Sequence, residues 1–557
     1  MQLENSIFYE RQPWVAHRTF TPSGEDPRTV LSNDKDHEFL RLDGNASLAW
    51  KLIAEDGLGN PNDVAQKLSV AVSEVQVLLD DLLNANLIKI RGVEDQYTSE
   101  VDINPNHVPS SERYHAGGYT EPSPGGSNLE AEFEFQDWAL SHGFLWSALW
   151  EITFRCNEAC VHCFNPGASH SEGQRAYRKT EELERDEWLK LLDEFKSLGV
   201  FRLLLTGGEV ALRKDFFEIL EACNERGFSV TVFTNGTLFD ADEIIRLANF
   251  YPHRIELSLY SPEPEVHDRI TRLKGSFEKT RNSALQLKKL GVTVAIKMSV
   301  MAETINSVLA FRALCEEWGI EPQVDYNMSP GVDGAREPLL ELLPAPLELI
   351  RAAMTPGMPL FAGVAGAPNK SDWVERKANP ICGAGRTTMS ISPEGHIYPC
   401  NSLPIHVGST RAEGLTAVWK NSISGGALAT KPKSELSQWQ SIKGADYRVC
   451  GSFDRCAWCH KCPGMALLES GDELGPSTTN CRNSAARMIA FDLIEKGRTP
   501  QSISSLDLEP LKLKYAENIP LWEPNFSVES KISLESLKQS LKSRTKATAL
   551  EKDPLLG

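Results

Sequence analysis

The strongest constraint on the fold of this 557-residue chain is an alternation of strand-like and helical patterns over residues 145–330. Apolar, strand-like runs lie at 148–155, 200–206, 228–234, 254–260, 292–300 and 321–327. Helical patterns, such as the one at 285–290, lie between them, so the region predicts an α/β fold with a parallel sheet. Six βα units are too few for a closed (β/α)8 barrel. We therefore expect an open, partial barrel with functional residues at the C-terminal ends of its strands.

Three cysteines directly follow the first predicted strand. Cys156, Cys160 and Cys163 have the spacing C-x3-C-x2-C. Three thiolates on one short loop can hold three irons of a [4Fe–4S] cube, which leaves the fourth iron without a protein ligand. An open metal position is where a substrate or cofactor can bind, so the spacing indicates chemistry. Taken alone, the triplet would also fit a fragment of a zinc or ferredoxin-type site.

A second group of cysteines lies towards the C-terminus. Cys382 and Cys400 flank an alternating apolar stretch around residues 393–395, which predicts a β-hairpin that brings the two together. The other five are Cys450, Cys456, Cys459, Cys462 and Cys481. Clustered cysteines in a reducing compartment usually bind metal, so we expect metal, rather than a large apolar core, to organise residues 382–485. Zinc knuckles are the alternative. The isolated Cys223 and Cys315 are expected in the core.

Charge and hydropathy limit the partners and the location of the chain. The formal net charge of −18 argues against a nucleic-acid backbone or an anionic membrane as the main partner. The sequence has no apolar run long enough to span a bilayer, and its N-terminus lacks the regions of a signal peptide. We expect a cytoplasmic protein with no membrane and no nucleic-acid partner.

Residues 26–95 have a winged-helix outline of three helices followed by a strand. The first helix should begin with Asn45 as its N-cap, the second covers 62–68, and the third has the one-sided apolar spacing of a buried face before a strand at 86–90. The third helix carries Glu74, Asp80 and Asp81 and no basic residue, which argues against binding to DNA.

The cysteine triplet, the βα units and Gly207-Gly208-Glu209 at the end of the second strand together resemble the radical S-adenosylmethionine (SAM) superfamily. The resemblance implies that the first cluster binds SAM and that Gly207, Gly208 and Glu209 meet the amino group of its methionine. It also implies that His162 lies beside the adenine. Ser258 is then expected to face the ribose or the methionine carboxylate, with Arg272, or alternatively Arg269, paired to that carboxylate.

The later cysteines resemble the SPASM extension of radical SAM enzymes, which holds auxiliary [4Fe–4S] clusters. Two fully ligated clusters need eight thiolates, whereas this region has seven. The resemblance therefore implies one or two auxiliary clusters. Three arrangements are consistent with seven thiolates. One of two clusters has an open iron, or a ligand such as His460 or Asp454 completes that cluster. In the third arrangement, only a single auxiliary cluster is bound.

Residues 42–47, 50–53 and 82–88 resemble the PqqD-like peptide chaperone of pyrroloquinoline-quinone biosynthesis, the recognition element of many enzymes that modify ribosomally made peptides (RiPPs). In that family the leader peptide adds as a strand beside the third helix. The resemblance implies a peptide maturase that forms a thioether or carbon–carbon crosslink through a 5′-deoxyadenosyl radical. Its partners are a precursor peptide with a leader and an electron donor such as flavodoxin or ferredoxin.

Two other functions compete with this interpretation. One is a maturase of a folded protein, similar to the anaerobic sulfatase-maturing enzymes, and the other is a non-catalytic iron–sulfur protein for electron transfer or sensing. No catalytic acid or base can be singled out from the sequence. The expected organisation is a PqqD-like domain at 1–100, a linker at 101–144, the radical SAM barrel at 145–330, a bridging segment at 331–381, a SPASM domain at 382–500 and a tail at 501–557.

Overall fold

The computed structural model describes most of the chain between residues 7 and 504. The described residues are 7–34, 38–91, 127–165, 181–331, 341–358, 378–423, 434–447, 450, 456, 458–459 and 461–504. Asp454, His460, the first part of the expected linker and the tail beyond residue 504 lie outside them. Within these ranges, no helix has the length and apolar character that a membrane crossing requires.

The N-terminal unit is a three-stranded antiparallel sheet covered on one face by three helices. Its elements are β1 (Tyr9–Arg11), β2 (Val15–Phe20), β3 (Arg28–Asn33), β4 (Glu38–Asp43), α1 (Gly44–Ala54), α2 (Pro61–Leu68), α3 (Val72–Asn84) and β5 (Ile88–Ile90). The sheet has the order β2-β3-β4, and β1 pairs with β5. The three predicted helices and the returning strand are confirmed. The predicted cap was wrong by two residues, because α1 starts at Gly44 and Asp43 precedes it.

Six parallel strands form the centre of the molecule, as the alternation predicted. The elements are α4 (Ser127–Ser141), β6 (Ser147–Thr153), α5 (Arg185–Leu198), β7 (Arg202–Gly207), α6 (Phe216–Glu225), β8 (Ser229–Thr234), α7 (Ala241–Ala248), β9 (Arg254–Ser258), α8 (Pro264–Thr271), α9 (Ser276–Lys289), β10 (Val294–Ser299), α10 (Val308–Glu317) and β11 (Glu321–Asp325). These strands pair in sequence order. Helix α5 shows why the layers pack: Trp188, Leu191, Leu192 and Phe195 have the spacing of one helical face, and all four are buried against the sheet.

The C-terminal region continues the same sheet. Its elements are α11 (Pro346–Met354), β12 (Thr388–Ile391), β13 (His396–Tyr398), β14 (Gly408–Ser409), α12 (Leu415–Ile423), α13 (Glu435–Gln440), α14 (Pro463–Ser470) and α15 (Thr478–Glu495). Strand β12 pairs in parallel with β6, and the β12–β13 hairpin and β14 extend the sheet to nine strands. Met389, Ile397, Trp419 and Ile489 belong to one core with the barrel. The expectation that metal replaces an apolar core here was therefore wrong.

The N-terminal unit packs against the N-terminal ends of the barrel strands. Phe20 and Phe39 of its sheet contact Trp146 and Phe201, with ring centroids 6.4 Å and 6.3 Å apart for the pairs Phe20–Trp146 and Phe39–Phe201. Trp146 and Phe201 immediately precede β6 and β7. The unit is therefore fixed at the end of the barrel opposite to the C-terminal strand ends.

A buried polar network strengthens this contact. Asp34 of the N-terminal unit accepts hydrogen bonds from Ser229 and pairs with His253 at 3.1 Å, while Arg202 pairs with Glu132 of α4 at 2.7 Å. Burial acts to raise the pKa of Asp34, but the hydrogen bond and charge of His253 and the charge of Arg202 hold it below its usual value. Satisfied buried charges in a fixed geometry favour one relative placement of two units.

The ends of β6 and β7 approach so closely that only glycine fits between them. The Gly208 and Glu209 amides donate to the carbonyls of Thr153 and Arg155, each at 2.7 Å. A Cβ atom on Gly207 would lie 2.1 Å from the Thr153 oxygen, and one on Gly208 would lie 2.2 Å from the Arg155 oxygen. The two glycines thus let the end of β7 form hydrogen bonds with the backbone that leads into the cysteine loop.

Glu151 of β6 is a buried carboxyl group inside the barrel wall. Its neighbours Trp150 and Ile152 point into the helix-side core, so the side chain of Glu151 points to the other face of the sheet. Glu151 is 7% exposed, and it has no hydrogen bond or ion pair among the described residues. Burial raises its pKa from 4.5 to about 8.

Replacing Gly208 by alanine should disrupt the junction of β6 and β7. The added methyl group meets backbone rather than a movable side chain, so we expect a loss of about 1–3 kcal/mol in the free energy of unfolding, together with a lower iron content at the first cysteine loop. Gly291→Ala is the control, because a Cβ there meets nothing within 4 Å and only its positive φ costs energy. Equal iron content in the two variants would contradict this account.

Replacing Glu151 by glutamine should change how stability depends on pH. Between pH 4.5 and 8 the folded wild type keeps a proton on Glu151 that the unfolded chain loses, so wild-type stability falls as pH rises through this range. Glutamine does not titrate. The stability of Glu151→Gln relative to wild type should therefore rise by roughly 1.4 kcal/mol per pH unit and level off above the raised pKa. Denaturant titrations at several pH values measure this, with exposed Glu221→Gln as the control. A difference independent of pH would refute it.

Candidate active site

The cysteine loop lies at the C-terminal end of β6, where the barrel rule predicts function. Cys156 and Cys160 are buried and Cys163 is half-buried. The loop is held from outside by the end of α8, since the Ala159 amide donates to the Thr271 carbonyl and the Val161 amide to the Ile270 carbonyl, both at 3.0 Å. The backbone geometry thus presents all three thiols on one short, anchored segment.

Glu209 connects the ends of β7 and β8. Its carboxylate is completely buried and accepts hydrogen bonds from the Thr234 hydroxyl (2.6 Å), the Asn235 amide (2.6 Å) and the Ala211 amide (3.0 Å). Burial raises the pKa of Glu209, while these three donors oppose the rise. The carboxylate is thus used to hold two strand ends together. The contacts of Gly207, Gly208 and Glu209 with an ammonium group stay a prediction.

Asn235 connects the hydrogen-bonded ends of β7 and β8 to the first cysteine. Its side-chain amide nitrogen lies 3.9 Å from the Cys156 sulfur and 2.8 Å from the side-chain oxygen of Asn157. The Asn157 amide nitrogen donates in turn to the Thr237 hydroxyl at 2.7 Å. We did not select Asn235 as a site residue from the sequence, although the Thr234-Asn235-Gly236 turn at the end of the third strand was a usable signal.

An aromatic pair connects the cysteine loop to the end of β9. The rings of His162 and Tyr260 meet edge to face, with centroids 4.3 Å apart, and Tyr260 shares a hydrogen bond with Ser258. Burial, and then the charges of Cys160 and Glu158, raise the pKa of Tyr260 well above its usual value. The predicted residues His162 and Ser258 thus lie on one continuous surface beside the loop. Tyr260, which joins them, was missed.

The two candidate arginines have different surroundings. Arg272 follows Thr271, the residue whose carbonyl anchors the cysteine loop, and adopts a left-handed conformation with φ of 56°. Its side chain is exposed. Arg269 is also exposed and pairs with Glu303. The predicted carboxylate contact of Arg272, with Arg269 as the alternative, stays a prediction.

The seven later cysteines divide into two sets. Burial raises the pKa of Cys400 to about 12, and the charges of the neighbouring Cys382 and Cys462 act in the same direction. These three thiols therefore form one set. Burial and the charges of Cys481, Cys456 and Cys450 raise the pKa of Cys459, and these four form the other. We name them the hairpin set (Cys382, Cys400 and Cys462) and the helix set (Cys450, Cys456, Cys459 and Cys481).

The hairpin set is built by two local structures. The Gly385 amide donates to the Pro399 carbonyl at 2.8 Å, which closes the base of the hairpin and brings Cys382 and Cys400 together, as predicted. Cys462 is the N-cap of α14. Burial raises the pKa of its thiol to about 11, while hydrogen bonds from backbone amides of the first turn oppose the rise.

The numbers of thiols in the two sets fit iron–sulfur clusters. A [4Fe–4S] cube takes one thiolate on each iron. Four thiols in the helix set match a fully ligated cube, and three in the hairpin set leave one iron for another ligand. The individual ligands stay predictions.

Comparison with known families agrees with the fold and the cysteine chemistry. Residues 150–315 match the sequence profile of the radical SAM superfamily, and residues 382–463 match SPASM, an iron–sulfur cluster-binding domain. The first segment contains Cys156, Cys160 and Cys163, and the second contains all the later cysteines except Cys481. They bind a [4Fe–4S] cluster with SAM and auxiliary iron–sulfur clusters, respectively.

Three curated relatives cover the same part of the chain. The AdoMet-dependent heme synthase of Methanosarcina barkeri is 26% identical over 58% of this chain and 93% of its own length. The mycofactocin maturase MftC of Mycolicibacterium smegmatis is 28% identical over 55% of this chain and 76% of its own. The PqqA peptide cyclase of Granulibacter bethesdensis is 26% identical over 62% of this chain and 89% of its own. Residues 150–315 and 382–463 thus form a radical SAM domain followed by a SPASM domain, the two domains of a radical SAM enzyme.

Proposed function

We propose that this enzyme modifies a ribosomally made precursor peptide by forming a thioether or carbon–carbon crosslink. The observation that carries the proposal is the pairing of a radical SAM and SPASM core with an N-terminal unit of PqqD-like outline. The similarity to a mycofactocin maturase and a PqqA peptide cyclase supports the same substrate class. A maturase of folded proteins would not need such a unit.

The residues around the first cysteine loop have separable tasks. Cys156, Cys160 and Cys163 would hold the first cluster, which supplies the electron for SAM cleavage when it is bound. Glu209 and Asn235 fix the loop against β8, so the thiols keep one geometry during turnover. His162, Tyr260 and Ser258 would form the wall against which the adenosyl part of SAM lies.

The N-terminal unit would bind the leader as an added strand. Strand β4 is an edge of its three-stranded sheet, so one side of its backbone has no partner within that sheet. Helix α3 presents Val77, which is 62% exposed, together with the acidic side chains of Glu74, Asp80 and Asp81. Backbone pairing and an apolar anchor are typical of peptide binding by strand addition, whereas the acidic helix would repel DNA.

The remaining partners follow from the chemistry. SAM cleavage consumes one electron, so we propose a low-potential donor such as flavodoxin or ferredoxin. None of the twelve cysteines is in a disulfide bond. Cysteines in this number without disulfides are typical of a reducing compartment, and we propose a cytoplasmic enzyme.

The first test of this function is reductive cleavage of SAM. Anaerobically reconstituted wild type should produce 5′-deoxyadenosine with a chemical reductant, whereas Cys156→Ala should produce at most background, because it removes one of three ligands of the first cluster. Cys223→Ala is the matched control, since this buried thiol lies in the core and away from both cysteine regions. Liquid chromatography quantifies the product. Equal yields from wild type and Cys156→Ala would exclude the assignment.

The second test concerns leader binding. Deleting residues 1–100 is unsuitable, because it would uncover Trp146 and Phe201 of the barrel. Val77→Asp should instead weaken the binding of a labelled precursor peptide by about tenfold or more, since it places a charge in the proposed groove. Ile245→Asp on α7 is the control, because Ile245 is 48% exposed on the barrel exterior. Fluorescence anisotropy measures binding, and SAM cleavage without peptide checks folding. Equal affinity in both variants would count against the PqqD-like assignment.

A further inference from the structure

A short segment after β11 contacts both cysteine regions of the enzyme. Residues 326–328 leave the C-terminal end of the sixth barrel strand. On one side, Met328 belongs to the small apolar cluster that surrounds Cys160 and contains Tyr260. We call residues 326–328 the rim segment. Its first contact is therefore with the wall of the SAM-binding loop.

The other side of the rim segment is bonded to helix α15, which carries Cys481. The side-chain nitrogen of Asn480 donates to the side-chain oxygen of Asn327 at 3.2 Å, and Asn483 donates to the Tyr326 carbonyl at 3.0 Å. The Thr479 hydroxyl donates to the Met328 carbonyl at 3.3 Å. Helix α15 thus uses three side chains, Thr479, Asn480 and Asn483, which bond to backbone carbonyls and to the Asn327 side chain of the rim segment.

Asn480 connects this contact to both auxiliary sets. It immediately precedes Cys481 of the helix set, and its side-chain oxygen accepts a hydrogen bond from the Cys462 amide of the hairpin set at 3.1 Å. Asn480 is 4% exposed. Both the oxygen and the nitrogen of its side-chain amide therefore form their hydrogen bonds in a buried site. A buried amide satisfied from two sides has one orientation and transmits it to its partners.

We propose that Asn480 is the positioning residue that fixes both auxiliary cysteine sets relative to the SAM-binding loop. The proposal rests on the proposed function and deepens it. Crosslinking removes two hydrogens from the peptide. One would leave as a hydrogen atom to the 5′-deoxyadenosyl radical and the other as a proton, with one electron passing to an auxiliary cluster that the hairpin set or the helix set would hold. Electron transfer slows steeply with distance, so the rim contact sets how efficiently the second step follows the first.

Two substitutions separate the contact from cluster assembly. Asn327→Ala removes the hydrogen bond between Asn480 and Asn327 and leaves the Cys462–Asn480 hydrogen bond intact, whereas Asn480→Ala removes both. Ser484→Ala is the matched control, because this buried hydroxyl lies on the same helix and donates only to the Cys481 carbonyl. All variants are prepared as full-length, reconstituted enzyme, and iron per chain is measured first.

The test compares SAM cleavage with crosslinking of a synthetic precursor peptide. Asn327→Ala and Asn480→Ala should cleave SAM without peptide as wild type does, but yield about 10- to 100-fold less crosslink per 5′-deoxyadenosine. Power saturation of the electron paramagnetic resonance signal of the first cluster should show a weaker interaction with the auxiliary clusters. Ser484→Ala should match wild type in both measurements.

Each result decides between the proposals. Wild-type crosslink yield and wild-type spin interaction in Asn327→Ala would overturn the positioning role, while the peptide-modifying function would stand. A wild-type enzyme that cleaves SAM but crosslinks no peptide would instead overturn the proposed function. If Asn480→Ala loses iron, Asn327→Ala decides, because it leaves every cysteine contact in place.

Discussion

The close approach of β7 to β6 is the constraint on which the rest of the site depends. Gly207 and Gly208 let the second strand donate two short hydrogen bonds to the carbonyls of Thr153 and Arg155. This contact places Glu209 in the interior, where its carboxylate accepts hydrogen bonds from Thr234 and Asn235 at the end of β8 and from the Ala211 amide. The cysteine loop therefore leaves a backbone that is locked to two neighbouring strands. The junction thereby fixes the backbone from which the three cysteine side chains project.

The N-terminal unit and the cysteine loop lie at opposite ends of the same strands. A strand of six residues spans about 20 Å, so a leader held at β4 is at least that far from the SAM-binding loop. The Asp34 network and the aromatic contact with Phe201 make this separation a fixed property of the fold. On the proposed function, an extended peptide needs roughly six residues to cover the distance. The modified residue is therefore selected by its spacing from the leader as well as by its identity.

Much of the fold could be predicted from the sequence because the periodicity of apolar residues indicates which faces are buried. The six barrel strands, the three N-terminal helices and the hairpin around Pro393 follow directly from alternation and turn residues. Strands β1 to β4 were missed because stretches such as 15–20 are buried on both faces and mix His17 and Arg18 with apolar residues. The apolar core of residues 382–500 was missed because it is completed by β6 and α5, which are distant in the sequence.

The cysteines could be selected from their spacing, but the residues that organise them could not. Asn235, Tyr260 and Asn480 are single polar side chains in ordinary patterns, and their importance comes from which strands and helices meet. The division of seven cysteines into three and four has the same origin. Cys462 lies three residues from Cys459, yet it joins the hairpin set because it caps α14 beside the hairpin. Since β12 of that hairpin pairs directly with β6, the strand that ends in the cysteine loop also sets the position of the hairpin thiols. One sheet thus fixes both the loop at which the radical would form and the hairpin thiols, to which an electron could pass.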